Sequence, residues 1–285
     1  MLTLRNTMQD RIVLITGSTD GIGKETARQL AALGATVLVH GRNAARCQAT
    51  QDEIRQATGN SRVDYLVADL SSQKQVRQLA AEISARYDRL HVLINNAGVI
   101  LLNRQMTEDG LETSLAVNHL APFLLTHLLL DLLKQSAPAR IITVSSTVHY
   151  DGQIDFKNLQ GERRYNGVVA YKVAKLGNVL FTLELAERLK GTGVTANCLH
   201  PGIVTTKLLD TGWGWTGVSL AQGAALSVYL ASSPQVEKVT GAYFEQTTPY
   251  KASPQAYDVR LRQTFWEVSA KLAGIPEATG GYHNE

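Results

Sequence analysis

The chain of 285 residues has little cysteine, little excess charge and no long uninterrupted apolar run. Its two cysteines, Cys47 and Cys198, are too few for a disulfide framework or a cysteine-rich metal cluster, so they are predicted to be ordinary thiols in a reducing compartment. With 28 basic and 25 acidic residues the net charge is only +3, which gives no indication of a nucleic acid or an anionic membrane surface as partner. No metal site is predicted.

The most apolar stretch runs from Leu115 to Leu133, but several polar or helix-breaking residues interrupt it: Asn118, His119, Pro122, His127 and Asp131. Such interruptions favour a buried helix over a membrane span. The first ten residues also lack the apolar core of a signal peptide. The sequence therefore predicts a cytoplasmic protein without a membrane span.

A glycine-rich turn follows the first apolar run of the chain. Residues 11–16 predict a buried strand, and the residues after the turn have helical spacing up to Gly34. A strand that turns tightly into a helix directs backbone N–H groups at one point, and glycine lets a pyrophosphate approach them. The turn therefore predicts a cofactor site, although such turns also occur without a ligand. Its predicted contacts are Gly17, Ser18, Thr19, Asp20, Gly21, Ile22 and Gly23.

The second predicted strand, 36–40, leads into Gly41, Arg42 and Asn43. Folds that prefer NAD place an acidic residue here to bind the ribose 2′-hydroxyl. Arg42 instead offers a charged fork that suits a 2′-phosphate, so NADP(H) is favoured over NAD(H), with Arg42 and Asn43 as contacts. Two observations oppose this interpretation: a lone arginine is often a solvated surface residue, and the Asp20 carboxylate would repel a 2′-phosphate.

Strands and helices then alternate along the chain, with helices at 44–58 and 72–87 and strands at 63–68 and 90–94. This alternation predicts an α/β fold, a single doubly wound Rossmann-type domain over 1–285 with a parallel sheet and helices on both faces. Ligands of such sheets bind beyond the carboxyl ends of the strands. Two polar groups follow strands there, although a helix cap and an ordinary turn would explain them equally well: Asp69 with Leu70, and Asn95 with Ala97 and Gly98.

Four motifs in order resemble the short-chain dehydrogenase/reductase superfamily: T-G-S-T-D-G-I-G at 16–23, N-N-A-G at 95–98, Y-K-V-A-K at 171–175 and P-G-I-V-T-T at 201–206. The resemblance implies that Asp69 contacts the adenine region and that the N-N-A-G turn lies under the adenosine ribose. It implies a catalytic set of Asn118, Ser146, Tyr171 and Lys175, with Lys175 also holding the nicotinamide ribose. The nicotinamide end is assigned by resemblance to Pro201, Gly202, Val204 and Thr206.

Tyr171 and Lys175 are four residues apart on a helix predicted over 168–189, so both point from one face. A free tyrosine has a pKa of about 10. An ammonium about 4 Å away favours the phenolate by roughly 4 kcal/mol, which predicts a phenol pKa near neutral pH. In an unrelated sequence the same spacing would more often be a pair packed on a helix surface.

The spacing of 25 residues between Ser146 and Tyr171 and the sequence L-Q-G-E-R-R-Y at 159–165 resemble the retinol-dehydrogenase-like branch and its WW-domain oxidoreductase relatives. Residues 207–222 hold two tryptophans and three glycines and are predicted to form a substrate lid, although a dimer contact or core patch fits equally. Residues 245–285, with a helix at 254–273, are predicted to complete the same domain. A homo-oligomer is implied by resemblance only.

The predicted function is an NADP(H)-dependent oxidoreductase that transfers a hydride between the nicotinamide and an apolar alcohol or carbonyl compound. One alternative is a catalytically silent regulator that senses NADP(H), although a sensor would need only the glycine turn. A sugar-nucleotide epimerase is a third candidate, which the glycine spacing and the short C-terminal portion disfavour.

Overall fold

The structure is a computed structural model that describes residues 7–276. The first half of the chain alternates four strands with three helices, close to the predicted positions. They are β1 Ile12–Ile15, α1 Gly21–Ala32, β2 Thr36–Gly41, α2 Ala44–Thr58, β3 Val63–Val67, α3 Gln73–Arg86 and β4 Val92–Asn95.

The second half contains helices of very different length and two short strands, β7 and β8, that were not predicted from the sequence. Its elements are α4 Thr113–Leu115, α5 Ala121–Leu128, α6 Leu130–Gln135, β5 Ala139–Val144, α7 Gly167–Arg188, β6 Val194–Leu199, α8 Lys207–Trp213, α9 Leu220–Ser232, β7 Ala242–Phe244, β8 Pro249–Tyr250 and α10 Val259–Leu272. The π-helical residues Ala116–Leu120 join α4 to α5. Two 3₁₀ turns, Thr147–Asp151 and Pro254–Tyr257, precede α7 and α10 respectively.

The strands form one eight-stranded sheet in the order β3-β2-β1-β4-β5-β6-β7-β8. All neighbouring pairs are parallel except β7 and β8. The direction in which the chain adds strands reverses between β1 and β4. From β1 the chain adds β2 and β3 on one side, and from β4 it adds β5 to β8 on the other. A crevice forms at the carboxyl ends of the strands at such a reversal. The predicted doubly wound Rossmann-type fold is therefore confirmed.

Helices cover both faces of this sheet because the strand residues are apolar on both sides. In β1, Val13 and Ile15 pack into one buried cluster with Leu30 of α1, whereas Leu14 faces the opposite cluster with Phe123 and Phe181. Period-two alternation sends neighbouring side chains to opposite faces, so a strand covered on both sides needs apolar residues throughout. The core thus fixes β1, and with it the start of the glycine-rich turn.

Helix α10 packs across α5 and α7. Phe265 is 1% exposed, and its ring lies 4.8 Å from the ring of His119 between centroids. A Cβ added to Gly177 of α7 would lie 2.8 Å from Phe265, so the glycine allows the close approach of the two helices. The helix predicted at 254–273 is therefore confirmed as a 3₁₀ turn followed by α10. Within residues 7–276, no helix is both long enough and apolar enough to span a membrane.

We expect Phe265→Ala to lower the free energy of unfolding by about 3–5 kcal/mol, because truncation of a buried aromatic ring leaves a cavity between α7 and α10. Urea denaturation followed by circular dichroism measures this change. Val259→Ala, at a residue of the same helix that is 52% exposed, is the control and should change stability by less than about 0.5 kcal/mol. Equal losses in the two variants would contradict the packing described here.

Candidate active site

A cavity of about 1300 Å³ lies at the carboxyl ends of the strands. It extends from the glycine-rich turn to the residues that follow β5 and β6. Most of the predicted site residues line it: Gly17, Thr19, Asp20, Gly21, Ile22, Gly23, Arg42, Asn43, Asp69, Leu70, Ala97, Gly98, Ser146, Tyr171, Lys175, Pro201, Gly202, Val204 and Thr206. The fold thus brings together residues that are far apart in the sequence.

The glycine-rich turn is fixed against the N-N-A-G turn. Gly17 has φ +64°, and a Cβ on it would lie 2.8 Å from the Ala97 Cα. Thr16 Oγ1 accepts hydrogen bonds from the backbone N–H groups of Asn96 and Ala97, at 3.0 and 3.1 Å. Asn96 Nδ2 donates to the Thr16 carbonyl at 2.8 Å. The two turns therefore form one unit, and the close approach requires glycine at position 17.

The N-terminus of α1 points into the cavity. Asp20 caps this helix by accepting a hydrogen bond from Gly21 N–H at 2.8 Å. The next N–H groups, of Ile22 and Gly23, have no acceptor within the helix because they belong to its first turn. A cradle of glycine and first-turn amides fits a pyrophosphate, so these residues suit a dinucleotide.

Two predicted contacts, Ser18 and Asn95, lie outside the cavity wall. Ser18 is fully buried: its Oγ donates to the Ile15 carbonyl at 2.8 Å and accepts from His40 N–H at 2.9 Å. Asn95, the last residue of β4, donates from Nδ2 to Thr126 Oγ1 at 3.1 Å. The hydrogen-bond partners of both side chains lie in the protein interior and not in the cleft. Both side chains therefore stabilise the two turns without contacting the cavity.

His40, which no motif in the sequence indicates, also lines the cavity. Its Nδ1 accepts a hydrogen bond from Gly17 N–H at 3.2 Å. Burial lowers the pKa of His40 to about 4, so the ring is neutral and can accept. A histidine at the end of a predicted strand carries no signal for this role, since the contact depends on how the turn folds back.

Arg42 and Asn43 lie at the end of β2 beside a second arginine that the sequence analysis overlooked. Arg46, in the first turn of α2, lines the cavity four residues after Arg42, and its guanidinium lies 3.3 Å from the Asp20 carboxylate. Asn43 caps α2 by accepting from Arg46 N–H at 3.0 Å. The four-residue spacing of the two arginines at a predicted helix start could have indicated a paired basic site.

The carboxylate of Asp20 is compensated on two sides. Besides Arg46, it contacts Lys207 Nζ at 2.7 Å. The hydrogen bond from Lys207 is the largest cause that lowers the pKa of Asp20. The repulsion that the sequence analysis expected between Asp20 and a 2′-phosphate is therefore reduced by two neighbouring cations.

Three residues of the predicted catalytic set meet near the centre of the cavity. Ser146 follows β5, and Tyr171 and Lys175 lie one turn apart on α7. Lys175 Nζ donates to the Val144 carbonyl at 2.9 Å and lies 5.3 Å from the centroid of the Tyr171 ring. Ser145 Oγ donates to the Lys175 carbonyl at 2.8 Å, which ties α7 to the end of β5.

Asn118, the fourth member, does not line the cavity. It lies in the π-helical turn, where its Oδ1 accepts from Val99 N–H and its Nδ2 donates to the Val99 carbonyl, both at 2.8 Å. A Cβ added to Gly98 would lie 3.1 Å from Asn118 Oδ1 and 3.6 Å from Lys175 Nζ, so both polar groups approach Gly98. Helical periodicity does not predict a π turn, which often occurs at functional sites.

The pKa values of Tyr171 and Lys175 do not follow the prediction from the sequence, which was a lowered phenol pKa. Burial lowers the pKa of Lys175 to about 8 and raises that of Tyr171 above its ordinary value. The expected lowering of the phenol pKa by the ammonium is not found in the protein alone, because Tyr171 is 6% exposed and its phenolate would lose its hydration.

The part of the cavity beyond Tyr171 is largely apolar. Trp213 of α8 meets the Tyr171 ring edge-on, with 5.9 Å between the ring centroids. Other lining residues of this part include Val99, Leu101, Val148, Leu208 and Trp215. A salt bridge of 2.9 Å joins Lys172 to Asp151, both of which also line the cavity.

An open parallel sheet, a glycine turn at its reversal point and a buried Tyr/Lys pair at its carboxyl edge define a class of nicotinamide-dependent oxidoreductases. The chain belongs to the short chain dehydrogenase family, whose model matches residues 11–215. It is an NAD(P)-dependent oxidoreductase that acts on alcohol or carbonyl groups.

Its curated relatives place the chain in the retinol-dehydrogenase-like branch. It is 44% identical to retinol dehydrogenase 12 of Bos taurus, over 93% of this chain and 87% of that protein. It is 43% identical to retinol dehydrogenase 11 of Homo sapiens, over 93% of this chain and 86% of that protein. The predicted branch is therefore confirmed.

Solved structures agree with the fold. A protein from Mycobacterium paratuberculosis superposes with a TM-score of 0.80 at 32% identity, covering 96% of each chain. A short chain dehydrogenase from Escherichia coli, solved with NADPH, has a TM-score of 0.71 at 27% identity, covering 85% of this chain and 98% of that one.

Lys175→Met should stabilise the protein near neutral pH, because it removes a buried ammonium. The pKa of Lys175 is about 8 in the folded protein and 10.5 as its reference. Below pH 8 Lys175 is protonated in both the folded and the unfolded protein, and the cost of burying its charge, about 3 kcal/mol, fully lowers the free energy of unfolding. Between pH 8 and pH 10.5 only the unfolded state holds the proton, so wild-type stability rises with pH.

We therefore expect the stability advantage of Lys175→Met to be constant below pH 8 and to shrink as pH rises towards pH 10.5. Urea unfolding of the two proteins across this range measures it, with the exposed Lys238→Met as the control for a lost surface charge. An advantage that grows with pH would show that the lysine is not held as described.

Proposed function

We propose that the protein is an NADP(H)-dependent oxidoreductase of apolar alcohols or carbonyl compounds that uses Ser146, Tyr171, Lys175 and Asn118. The observation that carries this proposal is the position of Ser146, Tyr171 and Lys175 on the wall of the same cavity as the glycine-rich turn. A dinucleotide held at that turn would extend along the cavity towards Ser146 after β5 and towards Tyr171 and Lys175 on α7. A nicotinamide bound there would supply or accept the hydride.

In this proposal Tyr171 is the general acid in reduction and the general base in oxidation. Its hydroxyl gives a proton to the substrate oxygen as the carbonyl becomes an alcohol, and takes it back in the reverse direction. Ser146 donates a hydrogen bond to the same oxygen, which stabilises the charge that develops on it. The two side chains thus bind the oxygen from the protein side of the cavity.

Lys175 counteracts the cost of a buried phenolate. Its ammonium lies on the same face of α7 as the phenol, and Val144 holds it there through its carbonyl. Because burial raises the pKa of Tyr171 in the protein alone, the lysine must be protonated when the phenol loses its proton. A lysine pKa of about 8 keeps most of the ammonium charged at neutral pH. Asn118, whose amide holds Val99 and approaches Gly98, is assigned a role in orienting an ordered water of the relay through which Tyr171 recovers the proton that it gave to the substrate.

The preference for NADP(H) is supported by the two arginines near the end of β2. Arg42 and Arg46 both line the cavity, and Asp20 holds Arg46 at its edge. Paired guanidinium groups suit a 2′-phosphate because they offer several donors in fixed geometry. No carboxylate follows β2 directly to bind a 2′-hydroxyl, since Arg42 and Asn43 occupy those positions.

The apolar substrate is supported by the cavity wall beyond Tyr171. Trp213, Trp215 and Leu101 offer aromatic and aliphatic surface where the reacting carbon must lie. Pockets of this kind bind the substrate body by burial and orient it with a few polar groups. The relatives named retinol dehydrogenases are consistent with an elongated apolar alcohol or aldehyde as the substrate class.

Tyr171→Phe should bind NADPH as tightly as the wild type while turnover falls by a factor of about 10² to 10⁴, because only the proton donor is lost. Nucleotide binding is measured by fluorescence titration and turnover by NADPH oxidation with a panel of apolar aldehydes and ketones. Tyr87→Phe, which removes a half-buried hydroxyl hydrogen-bonded to Asp64 away from the cavity, tests whether the loss of another tyrosine hydroxyl has the same effect. Persistent turnover in Tyr171→Phe would refute the proposed mechanism, and binding without turnover in the wild type would favour a sensor.

The double variant Arg42→Ala/Arg46→Ala should weaken NADPH binding by about 10-fold to 100-fold and leave NADH binding nearly unchanged, because charge-assisted hydrogen bonds to the 2′-phosphate are lost. Titrations with both nucleotides measure the ratio. The exposed Arg89→Ala serves as the control for general loss of positive charge. If wild-type protein bound NADH more tightly than NADPH, this assignment would be wrong.

A further inference from the structure

His149 is a buried histidine three residues after Ser146 in the 3₁₀ turn at Thr147–Asp151. Its ring does not line the cavity. The ring packs between Tyr150 and Tyr243, with ring centroids 4.1 and 4.7 Å away. Burial lowers the pKa of His149, so the ring is neutral. A neutral histidine in this position must find one acceptor and one donor for its two nitrogens.

Both ring nitrogens of His149 have such partners. Nδ1 lies 2.7 Å from the Ser146 carbonyl oxygen, and Nε2 lies 3.0 Å from Ser253 N. A carbonyl can only accept and a backbone N–H can only donate. The tautomer is therefore fixed, with the hydrogen on Nδ1 and the lone pair on Nε2.

The residues that hold His149 from the other side form a short segment, 251–255, which we call the C-terminal brace. Besides the Ser253 contact, the Lys251 carbonyl accepts from Tyr150 Oη at 2.6 Å, and Gln255 Nε2 donates to the Gly152 carbonyl at 3.0 Å. Three hydrogen bonds thus connect the brace to the turn after Ser146. The brace lies outside residues 11–215, which match the family model.

The turn is also pressed against the helix that carries the tyrosine. A Cβ on Gly152 would lie 2.8 Å from the Lys172 carbonyl oxygen of α7. By contrast, the Oγ of Ser146 accepts one long hydrogen bond, 3.4 Å from Val148 N–H. The position of that hydroxyl therefore depends on the backbone of Ser146, which His149 holds through two bonds to its carbonyl, from Nδ1 and from its own N–H at 3.1 Å.

We propose that His149 is a positioning residue that connects the C-terminal brace to Ser146 and keeps the serine hydroxyl at the distance that the reaction needs. This inference rests on the proposed function, since it gives His149 a role through Ser146. The ring acts as a rigid spacer between two backbone groups: its donor holds the Ser146 carbonyl, and its acceptor anchors the ring to the brace. A displacement of about 1 Å at a reacting group can lower a rate about 100-fold.

Two variants separate the two contacts of the ring. The amide nitrogen of asparagine occupies about the place of Nδ1, so His149→Asn can still donate to the Ser146 carbonyl. The amide oxygen of glutamine occupies about the place of Nε2, so His149→Gln can still accept from Ser253 N–H. The buried His91→Gln, which replaces a ring that accepts from Ile12 N–H at 3.0 Å before β4, controls for the loss of a buried histidine far from the site.

The test measures kcat and KM with NADPH and an apolar aldehyde, together with urea stability. We expect His149→Gln, which loses the bond to the Ser146 carbonyl, to lower kcat by about 10-fold to 100-fold with an unchanged KM for NADPH. His149→Asn, which loses only the anchor to the brace, should lower kcat by a smaller factor, and His91→Gln should retain all of it. Equal kcat in His149→Gln and wild type would overturn the proposal. So would parallel losses of kcat in both His149 variants that merely follow their losses of stability.

The tautomer gives a readout that does not depend on turnover. Long-range proton–nitrogen spectra of ¹⁵N-labelled protein should show His149 as the Nδ1–H tautomer, and the Nε2–H tautomer would overturn the proposal. Ser146→Ala distinguishes a failure of the proposed function from a failure of the positioning role of His149. If the wild type turns over and Ser146→Ala retains full activity, the proposed function fails. If Ser146→Ala loses activity and His149→Gln does not, the positioning role alone fails.

Discussion

The burial of one ammonium group is the constraint on which the site depends. Lys175 lies inside the protein with the Val144 carbonyl as its hydrogen-bond partner. A buried cation with so little compensation destabilises the fold, which explains the lowering of its pKa to about 8. The rest of the structure must hold α7 firmly against β5, and the contact of Ser145 with the Lys175 carbonyl does so next to the reactive groups. The proposed gain is electrostatic, since a charge placed beforehand in a dry site need not reorganise during the reaction.

The other end of the cavity depends on close backbone contact more than on charge. Gly17 approaches Ala97 so closely that no side chain would fit, and Thr16 and Asn96 connect the two turns by hydrogen bonds. These turns follow β1 and β4, the neighbouring strands at the reversal of the sheet. The topology therefore places the glycine turn, and the core behind it keeps the turn in place.

Much of this arrangement could be predicted from the sequence, and the exceptions have physical causes. The alternation of strands and helices predicts the sheet, and most of the site residues predicted from the sequence lie in the cavity wall. Ser18 and Asn95 were placed in the wall because motif membership does not say which way a side chain points. His40 and Arg46 were missed because their contacts arise only when β2 and α2 fold against the glycine turn. The pKa of Tyr171 is raised and not lowered as predicted. The sequence shows the lysine one helical turn away, but it does not show that the phenol loses its water on burial.

Burial also explains why the C-terminal part of the chain belongs to the site and not only to the core. The Ser146 hydroxyl is weakly held by the turn itself, since it accepts one hydrogen bond at 3.4 Å. A short turn on the surface would sample several conformations, because fixing each residue costs about 1–2 kcal/mol of backbone entropy. Here the turn lies between α7 and residues 251–255, and α10 then holds that segment by packing Phe265 against α7. Rigidity at the serine therefore comes from elements that follow it by about a hundred residues, which is why a motif confined to the serine strand cannot describe the site completely.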